Sequence, residues 1–178
     1  MTTGQRDTAR DGGDLRPLAN VVGPGMRLLL VGLNPSPTSA ATGVAFAHKG
    51  NRFWPAALQA GIVTSDRDPL DALETHGVGF TDLVERVTAR ANELAAHEYI
   101  TGAARLHDLL VDANPKAVCF VGLTGYRIAI DKHATVGWQP LPFAGVATYV
   151  MPNPSGLNAR TNVADLAAHL ANAYGTAC

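Results

Sequence analysis

The sequence contains few cysteines, few charged residues and no long hydrophobic run. Its 2 cysteines, Cys119 and Cys178, are too few and too far apart for a zinc or iron–sulfur site, and they argue against a disulfide framework. Charged residues make up 16% of the chain and the formal net charge is -1, which excludes a strongly basic coat for nucleic acid but not a local basic face. Because neither a signal peptide nor an apolar run of membrane length is present, we expect a cytoplasmic protein without a membrane partner.

The motifs of nucleotide-cofactor enzymes are missing as well. Neither the Walker pattern nor the spaced glycines of a dinucleotide-binding loop occurs in the chain. We therefore expect no cofactor and no metal.

A chain of 178 residues, 47% of them hydrophobic, is long enough to bury one core. Residues 1–20 contain few large apolar side chains, and we interpret them as a flexible leader. The remainder, residues 21–178, is predicted to form a single domain.

Three continuous apolar runs are typical of strands that are buried on both faces. They span residues 27–33, 116–121 and 145–150. Between and after these runs the sequence predicts helices at residues 53–60, 69–75, 100–112, 126–132 and 163–174. Buried strands that alternate with helices predict an α/β fold with a parallel sheet covered on both faces.

In such folds ligands collect at the carboxyl ends of the strands, and here two similar loops occupy that position. Loop 1 (residues 34–52) begins with Asn34-Pro35 after the first strand, and loop 2 (residues 151–160) contains Asn153-Pro154 after the third. Taken alone, each Asn-Pro is typical of a turn in which Asn bonds to the backbone and proline stiffens the chain. The glycine and hydroxyl content also suits an anion such as phosphate. Two loops at one edge of a sheet could face each other across a single cleft.

Several short segments in and between these loops form a specific pattern. Gly-Leu-Asn-Pro stands at residues 32–35, Thr-Gly at 42–43, Phe-Ala-His at 46–48 and Asn-Arg-Phe-Trp at 51–54. Further along are Phe-Thr-Asp-Leu-Val-Glu-Arg at 80–86, Ala-Asn-Glu-Leu at 91–94 and Pro-Asn-Pro-Ser-Gly-Leu at 152–157. In this order the segments resemble the mismatch-specific uracil-DNA glycosylase family, which includes thymine-DNA glycosylase. The resemblance extends over residues 27–174.

The resemblance implies a three-layer α/β/α sandwich with a central, mostly parallel sheet. It also implies a monomeric DNA repair enzyme that flips uracil, best opposite guanine, out of double-stranded DNA and hydrolyses its N-glycosidic bond. The implied partner is a duplex with a damaged or mismatched base, and single-stranded DNA is a further candidate. No lysine of either loop is poised as a Schiff-base nucleophile, Lys49 being the nearest, so the abasic site should be left uncut.

By the same resemblance, Asn34 is the catalytic residue that positions water beneath the sugar. An amide accepts and donates hydrogen bonds but does not titrate usefully, so it orients water without acting as a strong base. Phe46 is the candidate platform for the flipped base, although it would otherwise be read as an ordinary core residue. Leu33 and Asn153 complete the expected base-binding pocket, and Asn153 stands where another branch of uracil glycosylases carries a catalytic His.

Other residues of the two loops are candidate DNA contacts. Thr38 and Ser39 suit contacts to phosphate, although hydroxyls in a loop are otherwise solvated. In loop 2, Leu157 is a candidate wedge for the vacated position in the base stack, unless it packs inward at the start of a helix. The remaining candidates in loop 2 are Ser155, Gly156, Asn158 and Arg160.

Asp82 has two interpretations, because related sequences can carry Lys at this position. With Glu85 three residues later and Arg86 four residues later, it is typical of a capping box at the start of a helix. It could instead be a catalytic carboxylate beside the base pocket that activates water together with Asn34, with a substrate range broader than uracil.

Two other functions stay open at the level of the sequence. One is a damaged-DNA binding module without catalysis, although such a protein would usually carry more basic surface. The other is a hydrolase of free nucleosides, for which the wedge of loop 2 would have no purpose.

Overall fold

The structure is a computed structural model that describes residues 15–175, so the two ends of the chain, including Cys178, lie outside the described residues. Its strands are β1 (Leu28–Gly32), β2 (Val78–Asp82), β3 (Ala117–Val121), β4 (Gly137–Trp138) and β5 (Ala147–Met151). Its α-helices are α1 (Pro37–Thr42), α2 (Phe53–Gln59), α3 (Pro69–His76), α4 (Ala96–Ala113), α5 (Leu123–Ala129) and α6 (Val163–Gly175).

The strands form one sheet in the order β2-β1-β3-β5-β4. The first four of these strands are parallel, and the short β4 adds to β5 in the antiparallel direction. The carboxyl ends of β1 and β5 therefore lie at the same edge, where loops 1 and 2 follow. Among the described residues, no helix is both long and apolar enough to span a membrane.

Each face of the sheet is covered by its own apolar core. On one face, side chains such as Leu28, Leu30 and Phe80 pack against helices α2 and α6. On the other face, Leu29 and Val31 pack against α4. The three-layer α/β/α sandwich predicted from the sequence is thereby confirmed, because each strand of the centre is buried between helices.

Strand β2 was not predicted, and its presence corrects the helix-cap interpretation of Asp82. The strand contains Gly79, which breaks the apolar pattern; a Cβ atom there would overlap Met26 Sδ and would stand 2.8 Å from the backbone oxygen of Val21. Asp82 is the last residue of β2 and pairs in register with Gly32. No helix begins at Asp82, and Arg86 instead pairs with Glu98 of α4, with 2.7 Å between Arg86 Nε and Glu98 Oε1.

The segment before β1 lies against the sheet, so the folded chain begins earlier than the boundary expected at residue 20. Val21 N and Phe80 O are 2.8 Å apart, and Phe80 N and Val21 O are also 2.8 Å apart. Thr81 Oγ1 donates to Asn20 Oδ1 at 2.6 Å, and Leu18 packs against the core. Of the leader predicted at residues 1–20, residues 1–14 lie outside the described range.

Arg52 joins loop 1 to loop 2. Its backbone N donates to Pro154 O at 3.0 Å, and its Nη2 donates to Ser155 O at 2.7 Å and to Asn158 O at 2.6 Å. Its Nη1 donates to the carbonyl of Thr161, directly after loop 2. One guanidinium thus satisfies several carbonyls of a loop that has no secondary structure of its own, which fixes the distance between the two loops.

Replacement of Arg52 by Met is expected to release loop 2. Hydrogen bonds from a charged donor contribute more than neutral ones, so the free energy of unfolding should fall by about 2 to 3 kcal/mol. Hydrogen–deuterium exchange should rise in residues 154–161 and stay unchanged in β1 and β3. Arg160→Met is the matched control, because Arg160 is exposed on the same loop. If the exchange of loop 2 in Arg52→Met equals that of the wild type, Arg52 does not hold this loop.

Candidate active site

A cavity of about 390 Å³ opens at the carboxyl edge of β1 and β2, between the two loops. Most of its walls come from loop 1, the end of β2 and loop 2, and Leu18 and Ala89 complete them. The candidate residues that line it are Asn34, Ser39, Phe46, Asp82, Ser155, Gly156 and Leu157. The fold therefore brings both candidate catalytic residues and the candidate wedge to one cavity.

The amide nitrogen of Asn34 is held by the backbone and by a buried hydroxyl. Asn34 Nδ2 donates to Arg86 O at 2.9 Å and to Thr88 Oγ1 at 2.7 Å. Because a carbonyl oxygen can only accept, the NH2 group must face Arg86, and this fixes the orientation of the amide. Asn34 Oδ1 has no hydrogen-bond partner within residues 15–175. The residue is thus a fixed acceptor at the wall of the cavity.

Thr88 is a site residue that the sequence did not reveal. It is buried, its Oγ1 donates to Arg90 O at 2.9 Å, and its backbone N donates to Pro35 O at 3.2 Å. The hydroxyl proton is therefore used by Arg90, which leaves the oxygen to accept from Asn34. The only indication in the sequence was that Thr88 lies between the two segments at 80–86 and 91–94.

The carboxylate of Asp82 lies directly over the backbone of β1. A Cβ atom at Gly32 would overlap Asp82 Oδ1 and would lie 3.4 Å from Phe46 Cζ. Glycine at position 32 therefore leaves the space that the Asp82 carboxylate occupies, because a side chain there would displace this carboxylate. The glycine that precedes Leu33 and Asn34 in the sequence is thus explained by the packing of Asp82 against β1.

Burial changes the acidity of Asp82. Loss of surrounding water raises the pKa of its carboxyl from 3.8 to about 7, and the positive charge of Arg105 on α4 opposes this rise. Arg105 Nη2 donates to the Asp82 carbonyl, and Arg105 Nη1 lies 3.5 Å from Glu85 Oε1. The Asp82 carboxyl itself has no hydrogen-bond partner in the described part of the chain. At neutral pH it is therefore divided between the acid and its conjugate base, as proton transfer requires.

Phe46 lies at the cavity in a strained backbone conformation. Its φ of 57° is in the left-handed region, which a non-glycine residue rarely adopts. Its ring stacks on Phe53 with 4.4 Å between the ring centroids, and part of its surface stays open. Phe53 in turn is fully buried. Phe46 therefore packs on the core with one face of its ring, as an ordinary core residue would, and is partly open elsewhere.

Leu157 projects into solvent at the rim of the cavity. Its exposed fraction is 97%, which excludes the alternative that it packs inward. Gly156 lies against loop 1, since a Cβ atom there would stand 2.7 Å from Gly50 O. The glycine is thus explained by the close approach of the two loops, which together present Leu157 outward.

Two of the residues expected in the base pocket lie elsewhere. Leu33 and Asn153 line a separate crevice of only about 20 Å³ beside Gly122. The Leu33 carbonyl accepts from Val84 N at 2.9 Å, and Asn153 Oδ1 accepts from Ser155 N at 2.9 Å. The Leu33 contact is made by its backbone and the Asn153 contact by its side chain, and neither residue lines the cavity of Asn34.

The candidate phosphate contacts separate into buried and exposed residues. Ser39 is buried, and its Oγ accepts from Ser36 Oγ at 3.1 Å, whereas Thr38 is exposed on α1. The amide of Asn158 donates to Asn153 O at 3.0 Å and so holds loop 2, whereas Arg160 is exposed. Thr38 and Arg160 are thus open to solvent, while Ser39 and Asn158 have internal partners.

The raised pKa of Asp82 predicts a pH-dependent effect of Asp82→Asn on stability. Below about pH 4 the carboxyl is protonated in both the folded and the unfolded state. Between about pH 4 and 7 the unfolded chain ionises while the folded protein largely keeps the proton, so the wild type loses stability as the pH rises. The free energy of unfolding of Asp82→Asn should therefore increase relative to wild type across this range, by at most ~4 kcal/mol. Urea unfolding between pH 4 and 8 measures it, with the exposed Asp108→Asn as control. A difference that does not vary with pH would contradict the placement of Asp82.

No group of three or more His, Cys, Asp or Glu side chains within residues 15–175 could hold a metal ion. Cys119 is buried in the sheet, and burial raises the pKa of its thiol. The polar and aromatic side chains that line the cavity include the amides of Asn34 and Asn51, the imidazole of His48, the carboxyl of Asp82 and the ring of Phe46.

A comparison with protein families agrees with this geometry. The family model for the uracil DNA glycosylase superfamily matches residues 19–174, from the segment that lies against β2 to helix α6. Members of this superfamily are glycosidases of base excision repair and bind DNA. The chain, whose sandwich places two loops around one cavity, therefore belongs to the uracil-DNA glycosylase superfamily.

Proposed function

We propose that the protein is a monofunctional DNA glycosylase of the mismatch-specific branch. It removes uracil, best opposite guanine, from double-stranded DNA and leaves an abasic site. The observation that carries this proposal is the fixed amide of Asn34, whose unpaired Oδ1 stands in the same cavity as Phe46 and Asp82.

The cavity suits an extruded pyrimidine. A base inside a duplex is inaccessible, so the nucleotide must leave the stack before hydrolysis. The open face of the Phe46 ring offers a stacking surface, which is worth ~1–3 kcal/mol for a base. Leu157 at the rim is placed to fill the position that the base has left, and Arg160 to contact the backbone.

Hydrolysis needs a water aimed at C1′ of the deoxyribose. Asn34 Oδ1 accepts a hydrogen bond from this water, which directs a lone pair of the water oxygen toward the sugar. Asp82 in its carboxylate form takes the other proton as the C–O bond forms and the glycosidic bond breaks. The proton that is hydrogen-bonded to Asn34 stays on the oxygen, which becomes the hydroxyl of the sugar. The bonding electrons leave with the base, so fixed dipoles around the cavity must stabilise a departing anion.

The first test is Asn34→Ala in the full chain. Loss of the acceptor should lower the rate of uracil release from a U·G duplex by at least about 100-fold, because the water is no longer oriented. Single-turnover assays with a labelled duplex measure the rate, and thermal unfolding checks that the fold is retained. Asn92→Ala is the matched control, because Asn92 is an exposed amide outside the cavity.

The same assay separates the proposal from its alternatives. Near-normal release by Asn34→Ala would remove Asn34 from its role. A wild-type protein that binds the duplex but releases no base would be a damaged-DNA binding module. Faster cleavage of deoxyuridine than of the duplex would identify a nucleoside hydrolase.

The second test is the pH profile of base release. If Asp82 accepts the proton, the rate should rise with pH until the carboxyl is ionised, with a midpoint at about 7, and then level off. Asp82→Asn should lower the plateau by roughly 100-fold and remove the midpoint. Asp108→Asn should keep the wild-type profile. A wild-type midpoint in Asp82→Asn would exclude the carboxyl as the titrating group.

A broader substrate range is a second candidate, favoured by the position of Asp82 in the cavity. A proton acceptor lessens the dependence of the reaction on a base that leaves easily. Duplexes that carry thymine, ethenocytosine, hypoxanthine or xanthine, together with uracil in single-stranded DNA, test this range. Release restricted to uracil would exclude it.

A further inference from the structure

Leu18 lines the cavity although it stands before the first strand of the sheet. It shares the wall with Ala45, Phe46 and Asp82, and it packs against the core on that face of the sheet. Its neighbours Pro17 and Ala19 are exposed, so Leu18 turns inward from a segment at the surface. Neither loop supplies this part of the wall.

The segment has its own attachment to the edge of the sheet. Val21 forms two hydrogen bonds of 2.8 Å with Phe80, and Asn20 Oδ1 accepts from Thr81 Oγ1 at 2.6 Å. These contacts end one residue before Asp82. The position of Leu18 is therefore set by the same strand that positions the carboxyl.

We propose that Leu18 closes the cavity on the side of β2, so that it limits both the size of the base that enters and the access of water to Asp82. The limit on base size rests on the proposed function. The exclusion of water does not, because it concerns only the surroundings of Asp82.

The surroundings of Asp82 combine the apolar Leu18 with three titratable side chains. Arg105 of α4 contacts the Asp82 carbonyl and is itself 3.5 Å from Glu85, and His48 of loop 1 lines the same cavity. An apolar side chain that keeps water away disfavours the carboxylate, whereas Arg105 favours it. Removal of the Leu18 side chain alone should therefore shift the protonation equilibrium of Asp82 toward the carboxylate.

The exclusion of water is tested by titrating the Asp82 carboxyl with carbon-13 NMR in the full chain. The signal is assigned by its loss in Asp82→Asn. Leu18→Ala should lower the midpoint by about one pH unit, because water then reaches the carboxylate. Leu15→Ala is the matched control, since Leu15 belongs to the same segment, is 47% exposed and does not line the cavity. An unchanged midpoint in Leu18→Ala would overturn the exclusion of water.

The limit on base size is tested by the ratio of hypoxanthine release to uracil release from matched duplexes. Leu18→Ala should raise this ratio by about 10-fold, because a larger purine then fits, and Leu18→Phe should lower it. Leu18→Phe keeps an apolar cover, so it remains a valid test if Leu18→Ala fails to fold. A ratio that is unchanged in every variant that folds would overturn the limit on base size. A wild-type protein that releases no base would overturn the proposed function, while the titration would still decide whether Leu18 excludes water.

Discussion

The cavity depends on the hydrogen bonds that Arg52 donates to the carbonyls of loop 2. Loop 2 follows β5 without secondary structure of its own, so its backbone groups need partners from elsewhere. A planar guanidinium can reach several carbonyls at once, which neither a lysine nor an amide could do with the same geometry. With Arg52 in place, Gly156 approaches Gly50 closely and Leu157 is left at the rim, 97% exposed. The two loops therefore act as one rim on a rigid sheet.

A second constraint arises where β1 and β2 end side by side. The parallel register sets Asp82 against Gly32, and the absence of a side chain at Gly32 makes room for the carboxyl. The same packing removes water, which lowers the stability as the pH rises from about 4 to about 7 but holds the group near the pKa that proton transfer requires. Asn34 follows two residues after Gly32, so its fixed amide and the half-buried carboxyl of Asp82 lie at one edge. The position that suits Asp82 for proton transfer is thus one that lowers the stability of the folded protein.

The sequence predicted what depends on local pattern. The apolar runs at 27–33, 116–121 and 145–150 correspond to β1, β3 and β5, because strands buried on both faces are apolar throughout. Helices α2, α3 and α6 begin at the predicted residues, whereas α4 begins four residues earlier than predicted and α5 three residues earlier. Strand β2 was missed because Gly79, Thr81 and Asp82 interrupt the apolar pattern. These three residues are explained by contacts outside the strand, with Met26, Asn20 and Gly32 respectively. Helix α1 was missed because its residues are mostly small and polar.

The sequence by itself determined the family, the α/β class and the two loops that follow β1 and β5, since these depend on residue type and order along the chain. Only the tertiary structure decided which of the candidate residues meet. It joined Asn34, Phe46, Asp82 and Leu157 at one cavity, and it moved Leu33 and Asn153 to another crevice. It also revealed that Leu18 lines this cavity, that Thr88 holds the amide of Asn34 and that Arg52 holds loop 2. The physical reason is that side-chain direction, hydrogen-bond partners and loss of water depend on elements that are distant in sequence, and no local pattern records them.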